Sequence, residues 1–367
     1  MNSEEFRRWG KQMVDIVADY WDGIRQRQPL PDVKPGYMRA LLPPEAPADG
    51  EKWPEIFADL EQTVFEGNTH WHHPHFFAYY PTAISYPAIM GDILSGGLGC
   101  IGFTWKSSPS CTELELVVMD WLAKMLKLPE HFLNSHPGPG AGMIQCTASD
   151  CTLLALLAAR NRALTSTSDA VAAIKSPKAA LNRITDWVWR QQSMLERRTF
   201  PGLIAYSSEQ AHSSVERAAL LAAVKLCQLP TKKEENFALN ADILEKAIKN
   251  DLEKGLTPTF VCATIGSTNC CSFDKLKELG AVCNKYGVWL HVDAAYAGSA
   301  AICPEYRHML DGIELVDSFN FNAHKWLMVN FDCACMWFRD ARLVEDAFLV
   351  DPLYLKHEHA SAIVDFK

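Results

Sequence analysis

The chain has 367 residues, 48% hydrophobic and 22% charged, which is enough apolar material for a large buried core. Its formal charge of -9 and pI near 5.7 come without a concentrated basic run, which argues against a nucleic-acid or acidic-membrane partner. The opening segment MNSEEFRRWGKQMVDIVADYW interleaves charges with its apolar residues, unlike a signal peptide, and no window reaches transmembrane length. The 12 cysteines are scattered without paired spacing and read as reduced thiols, so a cytoplasmic location is expected.

Phe6, Trp9, Met13, Ile16, Val17, Tyr20 and Ile24 recur at three- and four-residue spacing behind Asn2 and Glu5, a capping-box pair, and predict an amphipathic helix. Pro29, Pro31, Pro35, Pro43, Pro44 and Pro47 then predict an extended, non-helical arm of the kind that wraps a partner subunit. TELELVVMDWLAKMLKLP predicts a long buried helix that opens on a second capping box, Thr112 with Glu115, and closes before Pro129. SPKAALNR and the Ser/Thr-containing stretch near 165 read as a surface loop. Apolar runs at 203–207, 259–266, 288–293 and 333–338 alternate with helical periods, which predicts an α/β fold with a mostly parallel sheet and helices on both faces. Ligands of such sheets sit outside the carboxyl ends of the strands, and Ser207, Thr268 and Asp293 lie at or just after those ends.

A lysine is ordinarily a solvated surface residue, and an aspartate closing a strand is as readily a helix cap. Lys325 in DSFNFNAHKW and Asp293 in VWLHVD are more informative together. A lysine able to condense with an aldehyde and a carboxylate able to keep a pyridine nitrogen protonated are the two groups a pyridoxal cofactor requires. Thr147, Ala148 and Ser149 precede a strongly helical run, where backbone N–H groups and the helix dipole would meet a phosphate; simple capping by Ser149 explains only one of the hydroxyls. HWHHPH (70–75) places four imidazoles close together, yet no cysteine or carboxylate set accompanies it at matching spacing, and no metal site is expected.

NAHKW, HVDAAYAGSA, SSEQAHSSVERA and THWHHPHFFAYYPTA closely resemble the group II pyridoxal-phosphate decarboxylases, and the likeness runs from Met1 to Lys367. The resemblance implies the aspartate-aminotransferase fold (fold type I), a homodimer and pyridoxal 5'-phosphate as cofactor. It implies that residues 1–84 form a dimerising helix and arm, and that 85–367 form the large cofactor-binding domain. By the same resemblance Lys325 carries the cofactor, Asp293 pairs with its ring nitrogen and His212 stacks on the ring. Thr147, Ala148, Ser149 and Asn322 would hold the phosphate, with Thr268, Ala295 and His324 nearby. The family usually has proline before the His-Lys pair, and Ala323 takes that place here.

Substrate contacts carry over to Tyr79, Tyr80 and Thr82 in one subunit, with Ile101 and Phe103 reaching in from the other; the alternative for such residues is plain core packing, which stays open for Ile101. Aromatic and apolar walls with one hydroxyl suit an aromatic L-amino acid such as L-DOPA or 5-hydroxytryptophan. Tyr354 in DPLYLKH matches the family's proton-donating loop tyrosine, and Tyr354 together with His212 favours decarboxylation over the related aldehyde-forming chemistry. A histidine or tyrosine decarboxylase of the same group is the alternative. So is a chain with little activity, because family members continue past IVDFK into a C-terminal domain of roughly 100 residues.

Overall fold

The computed structural model describes residues 1–80, 82, 84–175 and 202–348, without the side chains of 166–175. The chain divides into two compact units, Met1–Thr82 and Ala83–Lys367.

In the first unit, helix α1 (Ser3–Gly23) starts where the capping residues place it. The Asn2 Oδ1 accepts from the N–H groups of Glu4 and Glu5 at 3.0 and 2.9 Å, and the Glu5 carboxylate accepts from Asn2 N at 2.8 Å. Its aromatic stripe packs within the unit: Trp9 meets Phe57 edge-on at 5.8 Å, and Tyr20 stacks on Phe65 at 5.4 Å. The proline-rich arm departs from expectation at one place, a single helical turn α2 (Met38–Leu41). Proline restrains only itself and its predecessor, and the window between Pro35 and Pro43 has none. Helix α3 (Trp53–Leu60) follows, its first turn closed by Glu55 accepting from Lys52 N at 2.9 Å.

The second unit opens with α4 (Tyr86–Leu98), capped by Ser85, and α5 (Pro109–Leu126). Helix α5 begins ahead of the expected capping box, because Pro109 is preset for a first helical position. Thr112 therefore lies inside the helix, its hydroxyl donating to Ser108 O at 3.3 Å, and Glu115 instead accepts from Ile144 N of strand β1 (Ala141–Gln145) at 2.7 Å. Nor is α5 buried all round: Met119, Ala123 and Leu126 face the core while Leu114, Val117, Trp121 and Met125 are exposed.

Helix α6 (Ala148–Lys175) follows β1 and absorbs the stretch near 165 that the sequence predicts as a loop. Once LLALLAAR has nucleated a helix, propagation through Ser and Thr costs little per residue. SPKAALNR lies outside the described residues. Then come β2 (Leu203–Ser208), α7 (Ser213–Ala222), β3 (Lys225–Leu229), α8 (Ala241–Glu253), β4 (Thr257–Thr264), α9 (Leu276–Tyr286) and β5 (Trp289–Asp293). The described chain closes with β6 (Ser318–Asn322), α10 (Ala323–Trp326), β7 (Ala334–Phe338) and α11 (Arg342–Phe348).

The strands form one sheet in the order β1-β7-β6-β5-β4-β2-β3. All its pairings are parallel except those of β7, which runs against both β1 and β6. Since β1 and β6 are both antiparallel to β7, they point the same way, and every strand but β7 has its carboxyl end at one edge. Alternation sorts the side chains into two cores. Val261, Leu290, Phe319, Phe321 and Trp337 pack on the α5 and α9 side, with Phe321 stacked on Trp337 at 5.9 Å. Ala205, Phe260, Cys262, Trp289 and Met336 pack on the other side, with Cys151, Ala155 and Ala159 of α6.

Candidate active site

Asp293 is the last residue of β5 and is buried, on the α6 side of the sheet. Its Oδ1 accepts from Ala295 N at 3.0 Å, and Ala295 O accepts from Asn322 N at 3.1 Å, which joins the ends of β5 and β6. The small residues after Asp293 are required by close approach: a Cβ on Gly298 would stand 2.6 Å from that of Phe321 and 2.9 Å from that of Ala294.

From Asn322 the chain turns directly into α10, which carries His324 and Lys325. Ala323 N donates to Cys333 O at 3.0 Å, a bond that proline could not make. Cys333 N donates to His324 Nδ1 at 2.8 Å, so the turn bearing Lys325 is clamped to the start of β7 at two points. Burial lowers the basicity of His324, and the neighbouring Lys325 lowers it further. Burial also lowers the pKa of Lys325 from the ordinary 10.5, against an opposing pull from the Asp293 carboxylate, which stands near enough to be felt. A larger share of neutral amine follows, the form that attacks a carbonyl.

Thr147, rather than Ser149, caps α6: its Oγ1 accepts from Asp150 N at 3.2 Å and its carbonyl from Cys151 N at 3.1 Å. Ala148 and Ser149 thus occupy the first turn, whose N–H groups have no acceptor within the helix. Burial raises the Cys151 thiol pKa and the Asp293 carboxylate raises it further, so this turn lies beside Asp293.

His212 follows β2 and caps α7, its Nδ1 accepting from Ser214 N at 3.1 Å, with the ring exposed. Thr268 lies exposed in the loop after β4, past Gly266, whose φ of 84° and near contact with Ala297 exclude a side chain. Asn269 Nδ2 donates to Gln210 Oε1 at 3.4 Å, so the loops carrying His212 and Thr268 adjoin. The expected cofactor residues therefore all follow carboxyl ends at one sheet edge. Asn322 Oδ1, Ser207 Oγ and Thr264 Oγ1, buried at that edge, have no hydrogen-bond partner among the described residues. Polar atoms left open beside a lysine, a carboxylate and a helix N-terminus fit a phosphate-bearing pyridine.

Ile101 and Phe103 are 63% and 50% exposed, which removes the core-packing reading within one chain. In the first unit Tyr79 is exposed at φ 60° and stacks on Trp71 at 5.3 Å, with Tyr80 and Thr82 half-buried in the same segment. The histidine-rich segment is occupied by local contacts: His70 Nδ1 bonds the Tyr20 hydroxyl at 2.8 Å and His73 Nδ1 accepts from His75 N at 3.0 Å. Among the described residues no group of three His, Cys, Asp or Glu side chains could hold a metal. All 12 cysteines are free thiols, and no described helix is long and apolar enough to cross a membrane. Tyr354 lies outside the described residues. The sequence reading missed β6 and the buried polar side chains of Ser318, Asn320 and His291; the alternation in SFNFN was the available signal.

A strand-end aspartate and a half-buried lysine, with a helix N-terminus at the same carboxyl edge of a mostly parallel sheet, define the class of fold type I pyridoxal-phosphate enzymes. The family model of the pyridoxal-dependent decarboxylase conserved domain matches residues 35–367, and the chain belongs to that family. It is 52% identical over 369 residues to the Mus musculus aromatic-L-amino-acid decarboxylase, covering all of this chain and 72% of that protein. It superposes on the Oryza sativa TDC solved with PLP and tryptamine with a TM-score of 0.88 at 36% identity, covering all of this chain and 70% of the other. With the Catharanthus roseus tryptophan decarboxylase in complex with L-tryptophan the TM-score is 0.86 at 38% identity, over all of this chain and 71% of that one.

Proposed function

We propose that the chain is a carboxy-lyase that converts an aromatic L-amino acid, L-DOPA or 5-hydroxytryptophan, to its amine and carbon dioxide. The observation that carries this is the convergence of Asp293 at the end of β5, Lys325 in the turn after β6 and the first turn of α6 at one carboxyl edge of the sheet. The roughly 50% identity to aromatic-L-amino-acid decarboxylases supports the substrate class. Pyridoxal phosphate, when bound, supplies the electron sink for the carbon that loses carbon dioxide.

Lys325 would hold it covalently, and its burial-lowered pKa keeps a larger share of the amine neutral. Asp293 keeps the ring nitrogen protonated, since a buried carboxylate favours a cation beside it. Thr147, Ala148, Ser149 and Asn322 bind the phosphate, with Thr268, Ala295 and His324 supporting the site, and His212 stacks on the ring. Tyr79, Tyr80 and Thr82, with Ile101 and Phe103 contributed across a homodimer, form the wall for the aromatic side chain; exposed Ile101 and Phe103 support that assignment. Tyr354 delivers the proton to the carbon left by carbon dioxide. Residues 1–84 serve dimerisation and 85–367 cofactor binding, in a cytoplasmic homodimer.

Amine and carbon dioxide release should be measured against L-DOPA, 5-hydroxytryptophan, tyrosine and histidine. Stoichiometric dopamine or serotonin supports the proposal. Histamine or tyramine alone selects a different substrate, and no amine from any of them removes the activity. Tyr354→Phe should divert product towards aldehyde, ammonia and hydrogen peroxide in the presence of oxygen.

A further inference from the structure

Behind Asp293, on the same face of the sheet, lie fully buried polar groups that the chemistry above does not use. Strand periodicity puts Trp289, His291 and Asp293 of β5 on one face, and in β6 Ser318 pairs with His291 and Asn320 with Asp293. His291, Ser318 and Asn320 are each 0% exposed. The first links are closed: Trp289 Nε1 donates to Ser318 Oγ at 2.8 Å, and Ser318 Oγ lies 2.9 Å from His291 Nδ1. Indole can only donate, so the Ser318 oxygen accepts there, leaving its own hydrogen for His291 Nδ1. With that hydrogen pointed at Nδ1, the ring nitrogen accepts and the imidazole hydrogen sits on Nε2.

The last links are looser: among the described residues no well-formed hydrogen bond reaches His291 Nε2 or either amide atom of Asn320, although the Asn320 side chain is near enough to the imidazole to raise its pKa. Burial pushes the imidazole down to about 4, so it is neutral near pH 7; Asp293, Asn320 and the Ser318 carbonyl, in that order, oppose the shift. A neutral ring with hydrogen on Nε2 offers one donor, and Asn320 is the amide that faces it.

We propose that Trp289, Ser318, His291 and Asn320 form a one-way hydrogen-bond relay ending on the Asp293 carboxylate. Nε2–H donates to Asn320 Oδ1, and Asn320 Nδ2 donates to the Asp293 oxygen not taken by Ala295 N. No proton is transferred along it. His291 and Asn320 are positioning residues: they fix the carboxylate's orientation from behind, so that a remaining lone pair is available to the ring nitrogen of a bound pyridine. The proposal rests on the assignment of Asp293 to that nitrogen.

Nitrogen-15 NMR of cofactor-free protein labelled at histidine tests the relay independently of that assignment. His291 should be the Nε2–H form from pH 6 to 8, and Ser318→Ala should yield a mixture of the two neutral forms. A second arm measures pyridoxal-phosphate affinity by fluorescence titration. Asn320→Leu should weaken binding about tenfold, the value of one hydrogen bond to a charged group, and Asn320→Gln should recover part of it. In an Asp293→Asn background Asn320→Leu should have no further effect. An Nδ1–H imidazole in the parent, or equal affinity in Asn320→Leu and parent, overturns the relay. Unchanged cofactor affinity in Asp293→Asn alone would instead remove the assignment of Asp293 while leaving the tautomer result standing.

Discussion

At the scale of single residues, burial and one neighbouring charge set the reactivity of Lys325. Burial lowers its pKa and Asp293 raises it, so removing the carboxylate should lower it further. In cofactor-free protein the rate of Lys325 acylation should rise with pH to a midpoint below 10.5, and Asp293→Asn should move that midpoint down again. Peptide mass spectrometry reads both, and an upward shift would mean that the two side chains do not sense each other.

Asp274 makes a second test. It is buried, accepts from Leu239 N at 2.6 Å and Thr264 N at 2.7 Å, and is raised by burial from 3.8 to about 6. A carboxyl whose folded pKa exceeds its unfolded one binds more protons when folded, so stability falls as pH rises from about 4 to 6, by about 3 kcal/mol. Asp274→Asn turns an amide N–H₂ towards one of those backbone donors and should cost about 2 kcal/mol below pH 4. Because the parent alone loses stability across that interval, the gap in urea unfolding should close as pH rises. A gap independent of pH would count against a buried, raised carboxyl.

At the scale of elements, legibility followed how local the physics is. Helix α1 could be read to its first residue because Asn2, Glu5 and the apolar stripe lie within one continuous segment. Asn2→Ala should cost that helix about 1 kcal/mol, measurable by thermal unfolding; an unchanged midpoint would mean that the helix end is held by other contacts. Strand β6 was hidden because Ser318, Asn320 and Asn322 read as a polar approach until neighbouring strands bury them. The Thr112 and Glu115 pair mimicked a cap, although the Glu115 partner is Ile144, which only the folded chain brings near. Lys325 and Asp293 could be singled out because each requirement of the cofactor is a residue type. The relay behind them depends on strand register, which a sequence does not display.

At the scale of the whole molecule, α4 leaves Met90, Ile93, Leu94 and Leu98 exposed along one face and α5 leaves Val117 and Trp121 exposed, apolar surface of the kind that marks an interaction site. A homodimer should cover them, and sedimentation should find a dimer that Met90→Glu with Trp121→Glu converts to monomer. A parent that sediments as a monomer at micromolar concentration would contradict the subunit assignment of Ile101 and Phe103. The central claim, that Lys325 carries the cofactor, is tested most directly by incubating the protein with pyridoxal phosphate, reducing with borohydride and mapping the labelled peptide. One stable label per chain is expected, on Lys325, absent from Lys325→Ala; a label on another lysine, or none, would contradict it.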